Sequence, residues 1–423
     1  MPNERPGSGV AEQLNHGCFC ITVDRPALAA AFDREVGAEG FSDALERTHP
    51  VLFSSSPVFI PASALAEMTQ VVAAVEAAAQ LPGYREAALS WASPLAHRDF
   101  GPAGALMGYD FHVAADGAKL IEVNTNAGGA FLNAPLARAQ RACCAPTLPQ
   151  ALDLADFGAA IASMFLKEWS RQKGAGRPRR IAILDDAPQT QHLLPEFELA
   201  RALLQAQGFD TLIGDPRDLV PGPEGLTLAG QPIDLVYNRL VDFAFEDPAH
   251  AVLRDAYLDG QVVVTPNPHV YALYADKRNL TLLSDTERLG DWGLEATHLD
   301  VLRTAALRTV LVTESNAEAL WAERRQWFFK PARGHASKAA YRGDKLTRRV
   351  WNEITAGDYV AQAYAAPGLR NVKHEGARAE LKVDVRLYTY QGDVLLTAAR
   401  LYQGQTTNMR TPGGGFAPVL VVP

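Results

Sequence analysis

The sequence predicts an α/β protein made of α+β lobes around a doubly wound parallel sheet, and three observations lead to that class. After residue 177, short apolar runs alternate with helical segments, which is the signature of strand–helix–strand units and a parallel sheet. Around residues 107–124 two apolar runs flank a Gly-containing turn, as in a hairpin. Near the C-terminus the runs Leu381–Tyr390 and Leu395–Tyr402 are joined at Gln391-Gly-Asp393, a second hairpin turn. A chain of 423 residues has room for two or three domains, and 48% apolar with 21% charged residues is ordinary for a globular protein.

Taken in order, Val51–Ser55 and Val58–Ile60 read as short strands, and Ala64–Gln80 as an Ala-rich helix with Ser63 as its cap and Glu67 in the first turn. The hairpin follows. Ala134–Ala142 and Ala151–Trp169 read as helices, and Arg171–Arg180, rich in Gly, Pro and Arg, as a linker. Beyond it come strands at Ile181–Asp186, Thr211–Ile213, Ile233–Tyr237 and Gln261–Thr265, with a helix at Leu194–Gln207 stopped by Gly208. Ligands of such sheets sit at the carboxyl ends of the strands. Asp185, Asp186, Tyr237, Asn238 and Arg239 fall there, although polar loop residues without a ligand would look alike. The turn after Ile181 is Asp-Asp-Ala-Pro-Gln-Thr, with no glycine fingerprint, so a nicotinamide or flavin cofactor is not expected. No internal repeat or low-complexity tract is present.

Several partners are disfavoured. A net charge of −8 does not favour nucleic acid. The N-terminal MPNERPGSGVAEQ lacks an apolar core and reads as a loose polar tail, and the apolar stretch 151–169 is interrupted by Asp153, Asp156 and Lys167. The expectation is a cytoplasmic protein without a membrane span. Cys18-Phe-Cys20 and Cys143-Cys144 do not have zinc-knuckle spacing, so buried thiols are expected.

Chemistry is concentrated in six blocks. In Leu120-Ile-Glu-Val-Asn124, Glu122 and Asn124 are two residues apart and share a strand face. A three-residue loop Ala115-Asp116-Gly117 would pair Ala114 with Ala118, His112 with Leu120 and Asp110 with Glu122. Asp110, Glu122 and Asn124 would then converge as hard oxygen ligands for magnesium held with a phosphate; a solvated hairpin face is the alternative. Phe328-Phe-Lys330 ends a strand, and the small-residue loop after it, with Gly334, Ser337 and Lys338, would let backbone amides approach phosphate oxygens. A Gly-containing hairpin would explain the same residues. Lys277 stands at a helix start after Pro266 and Pro268. Asp358–Gln362 is an apolar strand, able to meet an adenine edge or simply to lie in a core. Alternation places Asp384 and Arg386 on one face of the Leu381–Tyr390 strand, and the next strand carries Arg400. The last block, Gly404–Gly415, is a polar Gly-rich loop containing Asn408 and Arg410 that could fold over a substrate.

Together these blocks resemble the ATP-grasp superfamily, over roughly the last 150 residues plus the hairpin near Asn124. The usual order ends with the Asp…Glu-x-Asn hairpin; here that hairpin comes first and the chain stops after the arginine-bearing strands. That order is similar to circularly permuted ATP-grasp proteins such as the eukaryotic-type glutathione synthetases and glutathionylspermidine synthetases. The blocks Asp384-Val-Arg386, Ala399–Tyr402 and the loop with Asn408 resemble bacterial glutathione synthetases. The resemblance implies a circularly permuted ATP-grasp fold with a doubly wound parallel pre-ATP-grasp domain. Its parts would be an N-terminal region (1–95), the metal-ligand hairpin (96–135), a helical connector (136–176), the substrate domain (177–275), the ATP-binding lobe with its lid (276–365) and the rest of the C-lobe (366–423). It further implies Lys277 and Lys330 as phosphate lysines, and Gly334, Ser337 and Lys338 in the lid. Val360, Ala361 and Gln362 would form the adenine hinge, Asp110, Glu122 and Asn124 would hold Mg²⁺, and Arg386 and Arg400 would steady the transferred phosphate. The chain departs from the pattern at Gly108, where many members have arginine, and at Gln362, where glutamate is frequent; no ribose-binding acid is placed.

The activity so implied is ATP-dependent ligation of a carboxylate to an amine through an acyl phosphate. A small-molecule kinase or an ATP-binding protein without turnover would share most of the same residues. Asp186, Tyr237, Asn238, Arg239, Asn408 and Arg410 are expected to shape the substrate pockets, the arginines receiving a carboxylate of an amino acid or short peptide. A homodimer is compatible with a chain of this size.

Overall fold

A computed structural model describes residues 9–142, 157–222, 225–334, 339–408 and 410–423. The largest unit is a seven-stranded sheet. Along it lie Val58–Pro61, Gly415–Val422, Asp393–Tyr402, Ala377–Tyr390, Met107–Ala114 and Gly117–Asn124, with Gly368–His374 also paired to Ala377–Tyr390. The hairpin from the first third of the sequence is thereby laced into the C-terminal strands: Asp110 is paired with Arg386, and Asp384 with Arg400. One face of this sheet is apolar, and Val383, Val385 and Leu387 pack there against the Ala62–Gln80 helix. The other face carries Asp384 and Arg386, as alternation along the strand requires.

The parallel sheet expected after residue 177 is present, in the order Val263–Thr265, Leu235–Asn238, Arg180–Leu184, Asp210–Gly214. Its strands are apolar on both faces because both are covered. Ile181, Ile183, Leu235 and Tyr237 enter one core with Phe165 and Phe197. Ala182, Leu184 and Val236 enter another with Leu253 and Tyr257. A third lobe holds a four-stranded antiparallel sheet, Thr309–Leu311, Tyr359–Ala363, Trp327–Pro331 and Tyr341–Arg342, packed on Trp351 and Ile354.

Several local expectations are corrected. The long helix begins at Ala62, straight out of the strand, with Pro61 before it and no side-chain cap, so Ser63 lies inside the first turn. Glu67 instead accepts from the Ala118 amide of the hairpin. Val51–Ser55 forms no strand; Phe53 makes a single bridge to Phe416. The segment expected to be helical over 134–142 is the helix Ala130–Arg138 followed by the strand Gln140–Ala142, which pairs with Ile21–Val23. The Ile233–Tyr237 run is split at Asp234, whose carboxylate accepts from the Arg179 and Arg180 amides. Its first part joins a small antiparallel sheet and its second the parallel one. Arg171 and Lys173 complete the helix Phe157–Lys173, which leaves a shorter connector than expected. Cys18 is half-buried and Cys20 exposed, where buried thiols were expected; Cys143, Cys144 and residues 151–156 lie outside the described residues. Among the described residues no helix is long and apolar enough to cross a membrane.

The polar N-terminal stretch becomes a helix at Val10–Gly17, and the reason lies at the far end of the chain. Arg370 is fully buried and meets carbonyl oxygens rather than a carboxylate. Its Nε donates to Pro57 O at 2.8 Å, Nη1 to Leu14, Asn15 and Asn371, and Nη2 to Cys18 O at 2.7 Å. Replacing it with leucine strands several buried acceptors, each of which costs about 1–3 kcal/mol. Arg370→Leu is therefore expected to lower unfolding free energy by roughly 3 kcal/mol or more in urea titration and to speed proteolytic cleavage before residue 20. Unchanged stability and cleavage would show the cage to be dispensable.

Candidate functional site

The hairpin turns through two residues, Ala115 and Asp116, with Ala114 opposite Gly117, not through the three-residue loop expected. Gly117 still takes a positive φ of 96°. His112 therefore faces Lys119 rather than Leu120, yet Asp110 faces Glu122 as expected. A bulge reconciles the two. Ile121 has no partner across the hairpin, and the extra residue restores the register. Asp110, Glu122 and Asn124 consequently share one face: Asn124 Nδ2 lies 3.2 Å from Asp110 Oδ2 and 3.3 Å from Glu122 Oε1.

The same bulge turns the Ile121 carbonyl toward the third lobe. Lys330 Nζ donates to it at 2.8 Å and Gln362 Nε2 at 3.2 Å. Lys330 and Lys277 stand 4.0 and 3.9 Å from Glu122 Oε2, and Lys277 Nζ also donates to Gly334 O at 3.1 Å. From the large sheet, Arg386 grips Asp110 through Nε and Nη2 at 2.5 and 2.7 Å. Arg400 bridges Asp110 (2.8 Å) and Asp384 (2.6 Å), and Thr407 donates to Asp384 at 2.6 Å.

One cavity gathers these groups. Asp110, Glu122, Asn124, Lys277, Lys330, Gly334, Gln362 and Arg400 all line it. Arg386 reaches the site through its ion pair with Asp110. Val360 and Ala361 are fully buried and do not line it. They are paired on both sides, with Leu311 and Val310 and with Lys330 and Phe329, so their amides and carbonyls are committed to the ladder. The lining continues instead through Ala363, Tyr364 and Ala365. Ser337 and Lys338 lie outside the described residues.

None of the six expected substrate residues lines this cavity. Asp186 is held by His250 at 3.0 Å. Asn238 closes its strand end, donating to Pro266 O and accepting from the Leu240 amide. Tyr237 is buried and accepts from Arg239 Nη1 at 3.3 Å. Arg239 lies beside Gly128 of the loop that follows the hairpin, whose carbonyl accepts from Arg386 and Tyr388. Asn408 and Arg410 are exposed, Asn408 Oδ1 accepting from the Arg410 amide. The sequence reading set Asp384 on the face of Arg386 without giving it a role, and it missed His112, Arg342, Lys382, Tyr402 and Thr407 in the lining. Strand alternation would have found two of these. His112 follows Asp110 by two, and Lys382 precedes Arg386 by four.

Electrostatics favour an anion with a cation. Lys277, Lys330, Arg342, Lys382 and Arg400 outnumber Asp110, Glu122 and Asp384 around the cavity. Burial would push the Asp110 carboxyl up, but Arg386 and Arg400 hold it below the usual carboxylate range. Glu122 is likewise lowered against burial, by Lys277 and Lys330. Burial pulls the Lys330 ammonium down to about 8, with Glu122 opposing. For a divalent cation, Glu122 and Asn124 fit. The Glu122 ion pairs are long, and a half-turn of the Asn124 amide presents its oxygen. Asp110 has the least capacity left, since Oδ2 already takes three donors and Oδ1 one.

No family model matches the chain, and no curated protein matches it in sequence. In structure it aligns with a glutathione synthetase-like effector from Globodera pallida in apo form, at TM-score 0.54 and 13% identity, covering 88% of this chain and 90% of that one. It also aligns with a putative gamma-glutamylcysteine synthetase from Methylobacillus flagellatus, at TM-score 0.47 and 12% identity over 86% and 89%. A third alignment, with the ATP-grasp ligase PsnB bound to minimal precursor, Mg and ADP, reaches TM-score 0.27 and 14% identity over 57% and 88%. The chain shares its overall fold with the glutathione synthetase-like effector.

Lys330 carries its charge below about pH 8 and loses it above. A bound polyanion raises that value, so binding takes up a proton and weakens as pH rises past 8, by up to about tenfold per unit. Calorimetric titration of tripolyphosphate at pH 7 and pH 9 is expected to show this loss in the wild type, with a smaller loss in Lys330→Arg. Equal pH dependence in the two proteins would mean that Lys330 does not meet the anion.

Proposed function

We propose that the chain is a circularly permuted ATP-grasp enzyme that joins a carboxylate to an amine, converting ATP to ADP and phosphate. The observation that carries this reading is the meeting, in one cavity, of Glu122 and Asn124 from the hairpin with Lys277 and Lys330 from the nucleotide side and Arg400 from the large sheet. In this reading Lys277 and Lys330 hold the phosphates, and Gln362 with the Ala363–Ala365 backbone borders the base. Glu122 and Asn124, with a smaller share from Asp110, would hold Mg²⁺, which neutralises phosphate charge when bound.

The chain's own residues then position and stabilise. The substrate carboxylate attacks the γ-phosphorus, ADP leaves, and the amine displaces phosphate from the acyl phosphate, losing a proton as the amide forms. No protein nucleophile is required, so the rate comes from orientation and from fixed cations where charge develops. Arg400 is suited to that role. Asp110 and Asp384 lock its guanidinium from two sides, and it still borders the cavity. Arg386 acts through Asp110, setting the carboxylate's orientation. Asp186, Tyr237, Asn238, Arg239, Asn408 and Arg410 remain proposed substrate-side residues, of which Arg239 lies beside Gly128 in the loop after the hairpin.

Release of ADP and free phosphate from Mg-ATP, with pooled carboxylates and amines, tests the reading. Matched ADP and phosphate only when both substrates are present supports a ligase; ADP without free phosphate identifies a kinase, and no ADP with any pool overturns turnover. Glu122→Ala is expected to cost about 3 kcal/mol of barrier, on the order of a hundredfold in rate, with little change in thermal stability. Wild-type turnover would remove Glu122 from the site. Arg400→Ala should abolish ADP formation and also lower stability by about 3 kcal/mol or more, because it strips a partner from two buried carboxylates.

A further inference from the structure

The Cys18-Phe-Cys20 segment takes no part in the chemistry above, but its two thiols are set against each other. Cys18 Sγ and Cys20 Sγ lie 3.6 Å apart, with Cys18 half-buried and Cys20 exposed. Cys18 is pinned through its backbone. Its amide donates to Leu14 O at 2.9 Å, closing the helix Val10–Gly17, and its carbonyl accepts from Arg370 Nη2 at 2.7 Å. The less accessible sulfur thus hangs from a fixed backbone, and the exposed one stands beside it. Among the described residues no group of three metal-ligating side chains includes the pair, so it is arranged for sulfur–sulfur chemistry rather than for a closed metal site.

A second, independent feature lies next to the thiols and points to an anion. The ring of Phe19, between the two cysteines, is faced by Lys373 Nζ at 5.0 Å and by the guanidiniums of Arg378 and Arg370 at 5.0 and 6.0 Å. Lys373 and Arg378 stand directly opposite each other on the strands Gly368–His374 and Ala377–Tyr390. Like charges in that position repel. Both are exposed, and no carboxylate pairs with either among the described residues. The Phe19 ring offsets part of the repulsion, and an anion over the two cations would offset more. Cations beside an accessible thiol also draw in anionic reagents and speed their encounter, less so at high salt.

We propose that Cys18 and Cys20 form a thiol–disulfide exchange site for an anionic low-molecular-weight disulfide, which docks against Lys373 and Arg378. The Cys20 thiolate attacks one sulfur of the reagent, breaking its S–S bond and releasing one half as a thiolate. The Cys18 thiolate then attacks the Cys20 sulfur of the mixed disulfide and expels the other half. Two protein thiols are oxidised to one intrachain disulfide, the reagent is reduced to two thiols, and the two protons pass to the released thiolates or to solvent. Because Cys18 already stands beside Cys20, the second step is intramolecular and outruns attack by another reagent molecule. A reducing dithiol reverses the sequence.

The test uses the full-length chain carrying Cys143→Ser and Cys144→Ser, so that only this pair reports. Two reagents are compared, the dianion 5,5′-dithiobis(2-nitrobenzoate) and the neutral 4,4′-dithiodipyridine. The dianion is expected to release two aromatic thiolates per chain and to leave the intact mass two hydrogens lighter, without adduct. Cys18→Ser should release one and keep the adduct. Cys20→Ser should react about tenfold slower or more, because its remaining thiol is half-buried. Lys373→Gln together with Arg378→Gln should slow the dianion by about threefold or more at low salt and leave the neutral reagent's rate unchanged. Peptide mapping of the unsubstituted chain after the same treatment should show a Cys18–Cys20 cross-link, which keeps the test open if the serine background folds poorly. Two retained adducts per chain, no such cross-link, or a dianion rate indifferent to the two glutamine substitutions overturns the proposal.

Discussion

The buried carboxylate of Asp110 is the joint on which the architecture turns. It is 2% exposed and accepts from Arg386, Arg400 and Asn124, which come from three different strands. An isolated carboxylate at that depth would be strongly unfavourable; paired to two guanidiniums it is held ionised. The pairing ties residues 110 and 386–400, far apart in sequence, into adjacent strands of one sheet. It also fixes the hairpin face, because a slip of one residue would turn Asp110 into the apolar side. The core below and the cavity above therefore depend on the same register.

The parallel sheet serves the site from the side. Its strand ends deliver Asp186 to His250 and Arg239 to the loop after the hairpin. Burial opposes protonation of His250, but its bonds to Asp186 and Asp242 raise its pKa. A protonated His250 would thus link Asp186, at the parallel sheet's carboxyl edge, to Asp242. Glu196 does comparable work on the other flank, accepting from the Gly129 and Leu132 amides at the start of the helix Ala130–Arg138. The helix start is thereby held under the sheet, and the loop from Thr125 to Gly129 stays close to Arg386.

Much of this was legible in the sequence, and the failures have physical causes. Period-two alternation placed Glu122 with Asn124 and Asp384 with Arg386, because side-chain direction in a strand is set locally. The pairing of Asp110 with Glu122 was reached through a wrong turn length, and the bulge at Ile121 cancelled the error. A bulge leaves little trace in a sequence, since its cause is the partner strand. The adenine-edge expectation at Val360 and Ala361 meets a related limit: whether a strand has free backbone depends on neighbours far away, here Thr309–Leu311. The early helix cap failed because the strand Val58–Pro61 leads directly into the helix. Asp186, Tyr237, Asn238 and Arg239 lie at or just past the ends of parallel strands, as read, but only three-dimensional packing decides which side chains border a cavity.

The Ile121 carbonyl has a thermodynamic role beyond geometry. Lys330 and Gln362 both rest on it, so in the ligand-free chain the ammonium already has an oxygen partner. The ammonium has three N–H donors and this contact uses one, so an arriving anion can be met by the other two while the carbonyl keeps its partner. An anion at Lys330 would then add to a contact that already stitches the third lobe to the hairpin, and one ammonium would hold both lobes and the ligand at once.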